Sequence, residues 1–350
     1  MYRINLVKAA MALIAVVSLC FVGCSNKNDQ ESLATAQPNM DSIARQVAAV
    51  SARETGPKHV RFVTPDDTST AVASTIYDLA VNDSLAVVAL DDGVLAYDLN
   101  QGPHSRMKIG HPLTSVVWHD GAAYTGGDRL YRLEENALAV VEDAPASPIT
   151  ALYSYGSQLL IGTENGLYAK SPLGTTSLME GVFVTAMVAD NNGLWIGTDG
   201  QGVYRWDGVS FSKRFLVRDS SLFDYVNCLD YGHGHVYLGT DSGLYVFDGG
   251  RWQTLTVADG LPSDDITAID ASGWVVYIGT EGGVTTYFNN EFKPLKSLEN
   301  LCATVLRSSS KGLLVGTDTE GLLLRSGAAI RTLVAPKGLN EMALDWPSNQ

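Results

Sequence analysis

Seven acidic residues recur at matched places in this 350-residue chain: Asp91, Asp128, Glu164, Asp199, Asp241, Glu281 and Asp318. In the five clearest cases the acid stands directly after a Gly-Thr pair. Carboxylates spaced in this way have two uses. Gathered on one rim, they attract a cation or a basic partner. Alternatively, a polar side chain fixes a Thr-acid-x-Gly hairpin in which Gly166, Gly243 or Gly283 takes a positive φ. A repeat copies its turn along with its fold, so recurrence by itself favours the hairpin.

Other reactive residue types are sparse. His233 and His235 stand two apart, with Asp230 nearby as a third potential metal ligand. Two histidines do not make a zinc site, and a solvated turn is the simpler reading. His104, His111 and His119 are scattered. The chain lacks HExxH, GxxxxGK[ST], GxSxG and CxxC motifs. Trp118, Trp195, Trp206, Trp252 and Trp274 recur in or beside apolar segments, which favours core packing over a sugar-stacking surface. The spacings identify no catalytic residue, no metal site and no cofactor.

Charge narrows the partners. The chain has 24 Lys+Arg against 38 Asp+Glu, a formal net charge of −14. Phosphate recognition needs clustered Lys and Arg, so nucleic acid is not an expected partner. Four cysteines do not build a disulfide scaffold.

The elements that must position these residues begin with an address. Arg3 and Lys8 precede an apolar run from Ala9 to Val22 that is too short for a stable transmembrane helix. It ends in Phe21-Val22-Gly23-Cys24-Ser25. This resembles a bacterial lipoprotein signal, in which a small residue precedes a cysteine that is lipidated and becomes the new N-terminus. The resemblance implies cleavage after residue 23 and lipidation of Cys24. Ser25 resembles the residue that outer-membrane lipoproteins carry there. Loss of Arg3 and Lys8 would lower the charge by two, to −16. Residues 24–57 read as a polar tether with a short helix, in which Ile43, Val47 and Val50 share one side.

The body is a repeat. LLIGTENGLY (159–168), LWIGTDGQGVY (194–204), VYLGTDSGLY (236–245), VYIGTEGGVT (276–285) and LLVGTDTEGLL (313–323) are versions of one segment. Two degenerate copies precede them. With anchors at Ala89, Thr125, Gly162, Gly197, Gly239, Gly279 and Gly316, the spacing averages about 38 residues. Each unit reads as four strands and carries near-continuous apolar runs, as expected of strands covered on both faces. Seven such units define an all-β, seven-bladed β-propeller over residues 58–338, with 339–350 as a C-terminal segment at the seam. His59–Thr64 is expected to add a strand to the outer edge of that seam. The first strands, which should line the channel, look mostly apolar or small, as at Ala151, Ala186 and Ala268. Cys228 and Cys302 fall in blades 5 and 7, too far apart for a disulfide.

The units resemble the two-component regulator propeller repeat at Leu194–Thr198, at Tyr204–Gly208 and at the DGLP of Asp259–Pro262. That resemblance implies the propeller fold and a place beside envelope signalling proteins. It does not carry over a signalling output. Together, the features describe a non-catalytic binding or scaffold module, anchored by lipid in the bacterial envelope. Its partner would be an envelope protein or a small-molecule or glycan ligand. A propeller lyase or glycan hydrolase, and a periplasmic sensory subunit, are the alternatives.

Overall fold

The computed structural model describes residues 75–336 other than 136 and 215–224, with strand backbone also at Phe62–Val63 and Val72–Ala73. All of these fall within the compact unit His59–Gln350. The signal 1–23, Cys24, the tether and helix of 24–57 and the segment 339–350 lie outside the described residues.

Seven antiparallel sheets, each built on four sequential strands, follow one another as blades 1–7. They occupy residues 76–108, 115–140, 149–180, 184–214, 226–255, 266–299 and 303–336. The second strand of a blade shows why the apolar runs are unbroken. Gln158–Thr163, Gly193–Thr198, His235–Thr240 and Gly312–Thr317 are buried at every position after the first. Both faces of each strand are covered by neighbouring blades, so alternation has no solvent side to report. Outer strands differ: Glu291–Glu299 is mostly exposed.

Close approach between blades explains the recurrent glycine. A Cβ at Gly162 would lie 2.6 Å from Val184 Cγ1 of the next blade. At Gly316 it would lie 2.6 Å from Ile76 Cγ2. The same lock shows that the anchor in blade 2 is Gly126, not Thr125. Gly126 faces Ile149 of blade 3, and Thr125 is the residue before it.

A second device crosses each gap. Most first strands carry a bulge near their start, as between Ile149 and Ala151 or between Ala303 and Val305. The bulged side chain is re-aimed at the next blade. Thr267 Oγ1 donates to Ala303 O at 2.6 Å, and Asn227 Nδ2 donates to Ile266 O at 3.0 Å. Thr304 Oγ1 donates to Ile76 O, joining blade 7 to blade 1. Ile76 and Leu79 pack with Val305, Leu314 and Leu322 in one cluster, which closes the ring.

The added strands differ from the expectation for His59–Thr64. Within that segment, Phe62–Val63 pairs antiparallel with Leu138–Ala139 on the outer edge of blade 2. Val72–Ala73 instead pairs parallel with Ala335–Pro336 on the outer edge of blade 7. Blade 7 already has four strands of its own, so the extra strand covers an exposed edge and does not complete a blade.

Candidate functional site

In each blade the turn between second and third strands lies on the same face as the connector to the next blade. All seven acids sit in these turns. Asp128, Glu164, Asp199, Asp241, Glu281 and Asp318 are exposed, and Asp91 is half-buried. The turn backbone is tied down without the carboxylates. Thr163 Oγ1 donates to Gly166 O at 3.0 Å and accepts from Asn165 N at 3.2 Å. Thr240 does the same with Gly243 O and Ser242 N, both at 3.0 Å. Thr280 repeats it with Gly283 O at 2.9 Å and Gly282 N at 3.1 Å. Gly166, Gly243 and Gly283 take φ of 153°, 126° and 122°. The hairpin is therefore real, but the buried threonine fixes it, not the acid.

The acid contributes through its backbone. The amides of Glu164, Asp199 and Glu281 donate to Pro148 O, Phe183 O and Asp265 O, at 3.2, 3.0 and 3.2 Å. These bonds hold each turn against the lead-in to its own first strand. The carboxylates of Glu164, Asp199 and Glu281 accept no hydrogen bond among the described residues. Asp241 accepts from Ser242 Oγ at 2.9 Å, and Asp318 from Thr319 Oγ1 at 3.2 Å. Asp128 accepts from Tyr131 Oη at 3.1 Å and faces His111 Nε2 at 3.3 Å.

The negative field is densest at blades 5 to 7. Asp265 titrates above its usual range, mainly through burial and then through the charges of Glu281 and Asp241. Burial raises the Cys302 thiol, helped by Asp318, Glu281 and Asp265. A cavity of about 410 Å³ opens here, lined by Glu281, Glu299, Cys302, Asp318 and Glu320 among others. The structure thus brings Glu281 and Asp318 into one groove and spreads the other five acids around the rim.

A second charged set lines the channel, where the sequence leads one to expect mostly apolar or small residues. The channel-lining strands carry Asp78, Asp230, Asp270 and Arg307. First strands are edge strands, and their inner amides have no ladder partner. Asp78 Oδ2 accepts from Val116 N of blade 2 at 2.9 Å. Asp230 Oδ2 accepts from Ala271 N of blade 6 at 2.7 Å, and Asp270 Oδ2 accepts from Ser308 N of blade 7. Tyr153 Oη plays the same part for Ala189 N of blade 4, at 3.0 Å. Burial pushes Asp78 and Asp230 above the usual carboxylate range, against the pull of Arg307. Arg307 Nη2 lies 3.7 Å from Asp78 Oδ1. The sequence signal was present, as an acid within an apolar first strand.

The remaining candidates disperse. His233 and His235 lie on the opposite face, each ring bonded to a backbone carbonyl, of Gly273 at 2.7 Å and of His233 at 2.9 Å. Asp230 points away from them to its amide partners, so the three do not assemble. His119 Nδ1 meets Ser154 Oγ at 2.9 Å, remote from the His111–Asp128 pair. Trp195 is buried, with Nε1 donating to Asp190 Oδ2 at 2.9 Å and the Arg205 guanidinium 4.8 Å from its ring centroid. Trp274 is 89% exposed, so packing does not account for it. Cys228 and Cys302 are free thiols, and burial pushes Cys228 up to about 12.

This architecture defines a seven-bladed β-propeller with an acidic connector face. Residues 177–200, from the outer strand of blade 3 to the acidic turn of blade 4, match the family described as two component regulator propeller. Among curated proteins nothing matches the chain. Several solved structures are similar in fold. Virginiamycin B lyase from Staphylococcus aureus, as a catalytically inactive variant with quinupristin, shares 10% identity. It has a TM-score of 0.62, over 75% of this chain and 98% of that one. The extracellular domain of BT4673, assigned as a one component system of B. thetaiotaomicron, shares 17% identity with a TM-score of 0.59. The alignment covers 74% of this chain and 40% of that one. The computationally designed protein Ika8 shares 14% identity with a TM-score of 0.51, over 73% and 98% of the two chains. Identities this low show the fold alone.

Proposed function

We propose that this chain is a binding module of the bacterial envelope, lipid-anchored at Cys24, whose acidic connector face receives a basic ligand or protein. The observation that carries the reading is the division of labour in the turns. Threonine hydroxyls hold the hairpins, and the carboxylates beside them stand in solvent. In five blades an acid is thus kept where the turn does not need its charge, whereas Asp91 is half-buried and Asp128 faces His111. A field from many like charges steers a cationic partner even where each pair is screened over about 8 Å. The groove between Glu281 and Asp318 gives that partner a concave place to settle.

A sensory role is a narrower version of the same reading, supported by the family match at 177–200 and by the extracellular domain of BT4673. The carboxylates that converge on the channel are committed to backbone amides, which leaves the acidic face as the better candidate.

Two experiments test the proposal. Cys24→Ser should abolish acyl labelling and leave an unprocessed precursor. A photo-crosslinking residue placed at position 164 should capture an envelope component in a salt-sensitive way, and one at position 100, on the opposite face, should not. Equal capture from both faces would contradict the assignment.

A further inference from the structure

The face opposite the acids is built from the turns between first and second strands and between third and fourth strands. The four most exposed large apolar side chains among the described residues all lie there. Leu173 is 84% exposed, Val209 93%, Trp274 89% and Phe288 53%. Leu173 and Val209 tip the outer hairpins of blades 3 and 4. Phe288 ends the third strand of blade 6, and Trp274 tips the inner hairpin of that blade.

These tips are held out by polar residues that are themselves used up. Asp207 Oδ1 accepts from Val209 N at 2.9 Å and from Ser210 N at 2.8 Å. Ser171 Oγ accepts from Leu173 N at 3.2 Å. The Trp274 turn is braced from blade 5, where the His233 ring meets Gly273 O at 2.7 Å. Single exposed apolar side chains are ordinary on any surface, but the three large ones that exceed 80% exposure among the described residues all stand on this one face.

The rest of the face differs. Blades 1 and 2 present exposed Asp83, Asp120, Glu134 and Glu135, and none of the four apolar tips. Blades 4 to 6 carry exposed Asp207, Asp248 and Glu291, but Asp248 faces Arg251 at 3.4 Å and Glu291 faces Lys293 at 3.8 Å. The arc of blades 3 to 6 is therefore the less acidic one and suits an apolar-to-polar boundary better than the arc of blades 1 and 2. Trp is the residue whose amphipathic ring best suits such a boundary. Thirty-seven residues separate Cys24 from Phe62. At about 3.3 Å per residue that length lets any face of the domain reach a bilayer. A lipid at Cys24 would bring the chain to the surface without choosing the face that meets it.

We infer that the propeller rests on the bilayer through the turn face of blades 3 to 6. Leu173, Val209, Trp274 and Phe288 enter the headgroup region, and the acidic face is turned away, towards partners. The inference rests on the envelope reading above, but the surface chemistry is independent of the lipid.

The test uses the mature lipidated chain in vesicles of phosphatidylethanolamine and phosphatidylglycerol with brominated acyl chains. Tryptophan emission should be quenched, and Trp274→Phe should remove the quenched component. Equal quenching of wild type and Trp274→Phe, with both chains vesicle-bound, would overturn the inference and leave the anchor standing. A second arm uses the mature chain from Ser25 onwards, without lipid. It should sediment weakly with the same vesicles, and Leu173→Ser/Val209→Ser/Phe288→Ser should weaken that partition at least about tenfold. If Cys24 proves unlipidated, the anchor reading falls and this arm alone decides. Absent or unchanged partition would overturn the inference, including where added glycan instead shifts Trp274 emission.

Discussion

Gly316 of blade 7 and Ile76 of blade 1 meet across the ring seam so closely that a Cβ on the glycine would stand 2.6 Å from Ile76 Cγ2. The equivalent gap at Gly279 is looser, because Ala303 occupies the facing position and the Cβ contact would be 3.1 Å. Gly316→Ala should cost about 1–3 kcal/mol by overpacking, and Gly279→Ala clearly less. Denaturant melts of the two variants check the ranking. Equal losses would mean that the seam is no tighter than the blade 6–7 gap.

Closure also makes the ring cooperative. Leu314 and Leu322 of blade 7 share a core cluster with Ile76 and Leu79 of blade 1. Deleting Leu301–Gly338 should unfold the whole domain and not trim one repeat. A truncated chain with native-like melting would indicate an open array.

The repeat was legible because glycine, threonine and the acid travel together through five blades. It slipped by one residue in blade 2, where Thr125-Gly126-Gly127 offers two glycines and no Gly-Thr pair. Only the approach of Ile149 distinguishes them. The channel acids were hidden for another reason. Asp230 and Asp270 stand in first strands beside apolar residues, and their partners are amides of the next blade, about 40 residues away. Letters do not show an unpaired edge amide. Trp274 recurs like the strand tryptophans in sequence, but its neighbours Ser272 and Gly273 mark a turn, and the side chain is exposed.

The turn acids and turn threonines should separate cleanly. Thr240→Val removes a buried hydroxyl that makes two hydrogen bonds and should cost about 1–3 kcal/mol. Asp241→Asn should leave the melting temperature within about a degree, since exposed substitutions rarely matter. Calorimetry of both variants would reveal the opposite pattern if the acid held the turn.

The channel acids set a pH dependence. Asp78 and Asp230 titrate above the usual carboxylate value of 3.8, chiefly through burial. Their contribution to stability is fully present below about 3.8 and lost as pH rises through their raised folded midpoints. Asp207 and Asp248 run the other way. Their own turn amides lower them, so their contribution is present above 3.8 and lost as pH falls through their lowered midpoints. The melting temperature of wild type relative to Asp78→Asn/Asp230→Asn should therefore rise on acidification from pH 7 towards 4. A constant or shrinking difference would contradict the burial argument.

The thiols give a further check. Burial pushes Cys228 up to about 12, so the native protein should resist alkylation there at pH 8. After denaturation without reductant, Cys228 and Cys302 should both react. Recovery of neither would mean a disulfide.

The central claim is that the acidic face binds and does not serve folding. Its most direct test neutralises four of the acids together, as Asp199→Asn/Asp241→Asn/Glu281→Gln/Asp318→Asn. The probe is the envelope component captured at position 164, titrated against wild type and variant at low and physiological salt. The melting temperature should be unchanged, binding should be weaker by about tenfold or more, and its salt dependence should be smaller. A variant that melts early and binds as wild type does would show that the acids belong to the hairpins and not to a site.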